Sequence, residues 1–131
     1  VVGSGEPCGC SSHGHLEGIS GADALERTAK SMGLQPELKY LWTRRTDPAV
    51  APLWDRGLDH LAKGIASAIH LFDPQAVILG GGMSRGEGFI DVLKPRVVDY
   101  LALPFRKTLD LRPSLLGNDA PTIGAAALTR K

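Results

Sequence analysis

Asp73-Pro74-Gln75-Ala76-Val77-Ile78-Leu79-Gly80-Gly81-Gly82 is a helix stop, a short apolar run and a glycine turn in immediate succession. Asp-Pro ends a helix because the proline ring pushes the preceding residue out of helical space. Ala76–Leu79 is short and wholly apolar, which suits a buried parallel strand. Before it, Leu58, Leu61, Ile65, Ile69 and Phe72 recur at helical intervals and predict a helix from about Ala49 to Phe72. Gly57, Gly64 and Ala68 form a second stripe on that helix, small enough to admit a neighbouring backbone, so the helix is expected to be central or interfacial. After the glycines, a helix is expected over Glu87–Leu101, shifted or kinked by Pro95, then a strand at Thr108–Leu111. A last helix starts around Asn118–Pro121, with Pro121 in its first turn. The order helix–strand–helix–strand–helix predicts an α/β fold with helices laid on a largely parallel sheet.

The amino-terminal third reads differently. Gly3, Gly5, Pro7, Gly9 and Gly14 argue against a helix in residues 1–17, which read as a strand end and a loop. Ser20 is placed to cap a helix over Gly21–Met32 that stops at Gly33. Residues 34–49, broken by Pro36 and Pro48, form a connection with room for one short helix.

A chain of 131 residues makes one domain and can bury a real core. Charged residues are 22% of the chain and the net charge is +1, with Lys and Arg scattered, so a nucleic-acid surface is not expected. No apolar run approaches the roughly 18 residues that a membrane helix needs. The chain begins at Val1 without a leader-like stretch and reads as a piece of a longer cytoplasmic protein. Its two cysteines, one residue apart, would strain a disulfide, so reduced thiols are expected.

Those thiols sit in Cys8-Gly9-Cys10-Ser11-Ser12-His13-Gly14-His15-Leu16-Glu17, which also holds two of the four histidines. Thiolate sulfur and imidazole nitrogen are the ligands Zn²⁺ prefers. Cys8, Cys10, His13 and His15 could supply all four, or three from here could join one from elsewhere. The plain alternative is a solvent-facing loop. Glu17 would suit the general base of a hydrolytic zinc, a weaker reading because such a site keeps an open position. The second constellation is Gly80-Gly81-Gly82. A glycine turn after the carboxyl end of a parallel strand is where open α/β sheets bind ligands, and glycine lets a purine or phosphate approach the backbone. It matches neither Gly-x-Gly-x-x-Gly nor a Walker loop, and a ligand-free turn is the alternative. His60 and His70 point to different faces of the long helix. Trp42 and Trp54 suit packing better than a stacking platform, and Arg112 and Asp119 suit surface charges.

Both constellations fall in one pattern. Cys8-x-Cys10 through Gly14-His15-x-Glu17 and Ser20-Gly21, then Pro74-x-x-(apolar)-Gly80-Gly81, then Gly117-Asn-x-Ala120-x-x-x-Gly124-Ala-Ala126 resemble, in order, motifs of the carboxyl-terminal half of the ROK (repressor, open reading frame, kinase) family. The resemblance covers about residues 7–127. It implies an actin-like, ribonuclease-H-like domain: residues 1–131 as one carboxyl-terminal piece, with a zinc and sugar loop at 1–17 and a nucleotide-contacting part at 49–131. It implies a structural Zn²⁺ on Cys8 and Cys10, with His15 where the family has its third cysteine. The fourth ligand is then a histidine upstream of Val1, or His13 in its place. Ser11 stands where the family has glycine. Glu17 matches the glutamate that receives sugar hydroxyls, and Gly80, Gly81 and Gly82 match the nucleotide loop.

The implied activity of the full-length protein is transfer of the ATP γ-phosphate, with Mg²⁺, to a hexose hydroxyl, in the manner of a glucokinase. Homodimers are common in the family. The phosphate loop and the general base have no counterpart among these residues, so no catalytic residue is assigned in this chain and it is expected to be inactive alone. The family also contains sugar-sensing transcriptional regulators, the alternative reading.

Overall fold

The computed structural model describes residues 5–129. Seven α-helices run in order: α1 (Glu17–Ser20), α2 (Ala22–Ser31), α3 (Leu38–Thr43), α4 (Ala51–Phe72), α5 (Phe89–Tyr100), α6 (Leu103–Thr108) and α7 (Ala120–Leu128). Strand β1 (Val77–Leu79) follows α4, and β2 (Leu111–Pro113) follows α6. The two strands are parallel, with Val77 opposite Leu111 and Leu79 opposite Pro113. Short 3₁₀ turns occupy Met83–Arg85 and Gly117–Asp119.

The 22-residue α4 is the spine. Leu53, Trp54, Gly57, Leu58, Ala62, Ile65, Ala66 and Ile69 form its buried face, the three-and-four spacing of an amphipathic helix. α5 packs along it with Phe89, Leu93 and Val97 buried. Trp42 of α3 meets Trp54 edge-on at 4.9 Å and Phe89 at 5.3 Å. Each buried indole keeps a partner: Trp54 Nε1 donates to Leu41 O (3.0 Å) and Trp42 Nε1 to Glu87 O (2.9 Å). The second bond ties α3 to the loop that follows the glycine turn.

Several sequence expectations shift. The strand expected at Thr108–Leu111 lies at Leu111–Pro113, because Pro104 near the start of α6 favours a helical turn that runs on to Thr108. Pro113 is accommodated because β2 is an edge strand. β1 is parallel as expected but not the buried strand expected: Val77 and Leu79 are half-buried on one face and Ile78 is 60% exposed on the other. Pro95 lies inside α5, which continues from Phe89 to Tyr100. α4 ends at Asp73, which adopts the left-handed conformation (φ 42°) and returns its N–H to Ile69 O.

Ser20 does not cap α2. Its buried hydroxyl donates to Gly57 O at 2.8 Å, joining α1 to α4, and Gly21 takes the cap position. The small-residue stripe of α4 is filled from within the chain. A Cβ at Gly57 would stand 2.8 Å from Leu25 Cδ2, and one at Gly64 2.6 Å from Leu16 Cδ2. Those two glycines therefore seat α2 and the entry to α1, while Ala68 is exposed. No helix among the described residues is long and apolar enough to cross a membrane.

Candidate functional site

The cysteine loop is a small hairpin. Cys8 N–H donates to Ser12 O (2.9 Å), Ser11 N–H to Cys8 O (3.1 Å) and Gly14 N–H to Glu6 O (2.9 Å). Gly9-Cys10-Ser11 forms its three-residue tip, and Ser11 at φ 66° is the left-handed residue such a tip requires. Gly14, also at positive φ (71°), turns the chain so that His15 folds back toward the tip. Cys10 Sγ then lies 3.2 Å from His15 Nδ1, and the donor atoms of Cys8, Cys10 and His15 all fall within 4.8 Å of one another. In a zinc tetrahedron with bonds of about 2.0–2.3 Å, neighbouring donors sit about 3.5–3.8 Å apart, so these three residues fit one metal ion with small adjustments. His13 is exposed, opposite Pro7 in the hairpin, and does not join the group. Among the described residues no fourth donor joins the three.

Cys8 is buried, whereas Cys10 is exposed. The largest influence on the Cys8 thiol, a hydrogen bond from the Cys10 backbone, lowers its pKa. The Cys10 thiol, desolvation and the Glu17 carboxylate outweigh it, and the net shift is upward. The Cys8 thiol is therefore protonated at neutral pH, and a metal would have to displace that proton. Meanwhile it donates to Glu17 Oε2 at 3.4 Å. The sequence put Cys8 and Glu17 in one motif; their direct contact follows from α1, a four-residue helix that the glycine-rich sequence concealed. Outside the motif, Arg27 donates to Pro7 O (3.2 Å), and Arg56 of α4 pairs with Glu6. The backbone N–H of Glu6 and then Arg56 hold the Glu6 carboxyl below its usual range. These two arginines fasten the hairpin to the helices, and no motif announced them.

Glu17 lines a pocket of about 130 Å³ with Gly9, Gly21, Ala22, Asp23 and Arg27. Gly21 is obligatory here: a Cβ would stand 2.5 Å from Glu17 O and 3.0 Å from Glu17 Cγ. A second, larger and mostly apolar pocket of about 590 Å³ lies beside the glycine turn. Leu38, Trp42, Trp54 and Met83 give it apolar walls, Gly82 and Gly86 give it bare backbone, and Lys39 and Glu87 are at its margin. Gly81, at φ 89°, makes the turn itself, and buried Ser84 pins it by donating to Gly81 O (2.9 Å). Gly80 and Gly81 do not line the pocket; Gly82 does. Ala22 borders both pockets. His60 bonds Arg56 O within its own helix, His70 accepts the Ala102 N–H (3.1 Å), and both lie away from the two pockets.

Residues 1–131 match the ROK family from end to end. The chain belongs to the ROK family. It is 33% identical to a glucokinase of Thermotoga maritima, over all of this chain and 47% of that protein. The fold superposes on the ROK hexokinase from Thermus thermophilus with a TM-score of 0.77 at 31% identity, over 93% of this chain and 42% of the other. A ROK family glucokinase from Streptomyces griseus, solved in complex with glucose and AMPPNP, gives 0.76 at 28% identity, over 95% and 47%. These likenesses place the α/β fold among the actin-like ROK kinases. The ROK chain described here spans about half the length of the relatives it matches.

Proposed function

We propose that this ROK chain is the sugar- and nucleotide-contacting part of an ATP-dependent hexose kinase of the glucokinase kind. The observation that carries the reading is the pair of pockets bordered by Ala22, one holding a carboxylate and the other an apolar slot beside a glycine turn. A hexose offers hydroxyl donors to Glu17, which discriminates stereochemistry because a misplaced hydroxyl leaves the carboxylate unpaired. A purine needs flat apolar walls and a backbone free of Cβ atoms, which Trp42, Met83, Gly82 and Gly86 provide, while Gly80 and Gly81 shape the turn behind them. Phosphoryl transfer then needs positioning and charge stabilisation, with Mg²⁺ arriving on ATP. The general base and the phosphate loop belong to parts of the protein outside these residues. A glucokinase among the relatives and a ROK glucokinase solved with glucose and AMPPNP support the same assignment.

Cys8, Cys10 and His15 would hold a structural Zn²⁺ whose fourth donor comes from outside the described residues. Binding there would take the proton that Cys8 otherwise donates to Glu17, so what the ion would supply is a fixed hairpin tip, whose Gly9 lines the Glu17 pocket. Assembly as a homodimer in the cytoplasm belongs to the same reading. The test is a coupled assay of the full-length protein with Mg-ATP and a panel of hexoses, alongside Glu17→Gln. The reading expects turnover with at least one hexose and a KM for that sugar at least tenfold higher in the variant. No turnover with any hexose, or an unchanged KM, overturns it.

A further inference from the structure

Ala22 is the first residue of α2 and, among the described residues, the one side chain common to the walls of both pockets. Its position is fixed from the sugar side. Gly21 N–H donates to Glu17 O at 2.9 Å, and the missing Gly21 side chain lets Glu17 Cγ pack against the turn. A displacement of the Glu17 backbone therefore carries the start of α2 with it, and Ala22 too. On the other side, Ala22 faces the space enclosed by Leu38, Trp42 and Met83. Ala22 is exposed and belongs to no core cluster, so its small size answers no packing demand inside the chain.

We infer that Ala22 is a positioning residue at the meeting point of the two substrates, its methyl group small enough to let the nucleotide's terminal phosphoryl group come up to the sugar. The inference rests on the kinase reading above. Each substrate has its main anchors elsewhere, Glu17 for the sugar and the apolar walls for the nucleotide, so a larger residue at 22 leaves each bound alone. What it obstructs is their approach, and a misplacement of about 1 Å at the reacting atoms can cost about a hundredfold in rate.

The experiment uses the full-length protein with Ala22→Ser, Ala22→Val and Ala22→Leu. Dissociation constants for the hexose alone and for ATP alone are measured beside kcat. Ser is expected to keep kcat within twofold; Val is expected to lower it at least tenfold, and Leu further, while each binary dissociation constant stays within threefold. A kcat that ignores side-chain size overturns the inference and leaves the kinase reading standing. So does a rise in both dissociation constants in step with the lost rate, because the residue then merely lines two walls. An unsubstituted protein that phosphorylates no hexose sinks the kinase reading itself, and this inference with it. Ser, close to Ala in size, shows whether any loss comes from a disturbed helix start, since such a disturbance would not scale with side-chain volume.

Discussion

Gly21→Ala tests the joint between the sugar carboxylate and α2. The new Cβ would stand 2.5 Å from Glu17 O and 3.0 Å from Glu17 Cγ. The first atom belongs to the backbone of α1 and accepts the Gly21 N–H, so it cannot rotate aside. Forcing a methyl into a filled space costs about 1–3 kcal/mol, and loss of glycine's freedom in the unfolded chain returns about 0.4–1 kcal/mol. The net is a destabilisation of about 1–2 kcal/mol, or a fall in Tm of about 3–8 °C for a chain of this size. Swinging the Glu17 side chain relieves only the Cγ contact; the carbonyl contact is relieved by a shift of the α1–α2 junction, which moves Glu17 relative to Cys8. The assay is thermal unfolding of the 131-residue chain followed by circular dichroism, with hexose binding to the full-length protein measured in parallel. Gly124→Ala is the control, because no atom lies within 4 Å of a Cβ there and Gly124 is inside α7. That change should leave Tm unchanged or raise it. If Gly21→Ala is as stable as the parent and binds hexose equally well, the contact between Gly21 and Glu17 does not hold the site and the argument fails.

Ser11→Gly should stabilise the chain by about 0.5–1 kcal/mol, because an L-residue in the left-handed region costs about 1–2 kcal/mol and glycine's extra unfolded freedom takes back part of it; chemical denaturation reads the difference. Asp59 accepts from Lys63 (2.7 Å) and then Tyr100, contacts that hold its carboxyl below the usual range. The unfolded chain therefore binds the proton more readily, and the stability this carboxylate contributes is present above its unfolded pKa of about 4 and lost as pH falls through the lower folded value. Asp59→Asn should flatten the decline of Tm between about pH 5 and 3, and an unchanged slope would count against the pairing. Co²⁺ added to the full-length protein should give thiolate-to-metal absorption that Cys8→Ser and Cys10→Ser each reduce, whereas His13→Ala leaves it intact because His13 stands outside the ligand group; loss of the band in His13→Ala would reverse the ligand assignment.

The elements legible in the sequence were those written in one local period. α4 follows from the recurrence of Leu58, Leu61, Ile65 and Ile69, and β1 from a short apolar run between Asp73-Pro74 and three glycines. Helix α1 was hidden because four residues carry no period, and its order comes from Ser20 bonding Gly57 across 37 residues of chain. β2 was misplaced because Thr108-Leu-Asp-Leu111 alternates like a strand, while Pro104 and the Arg106–Leu101 hydrogen bond wind its first residue into α6. In the site, the motif located Cys8, Cys10, His15 and Glu17 together, but could not say that His13 points elsewhere, a matter of which side of a hairpin each residue occupies. Arg27 and Arg56 were illegible for the same reason that Ser20 was misread. Their partners are distant in sequence, and a lone arginine carries no pattern.

Both indoles of the chain belong to one aromatic knot that forms a wall of the larger pocket, and one of them is bonded to the backbone of the loop behind the glycine turn. With no other tryptophan among these 131 residues, their ultraviolet emission is a built-in optical reporter of that cavity. A guest that moves the loop changes the polarity around Trp42 directly, so titrations of this chain can be followed without attaching a dye.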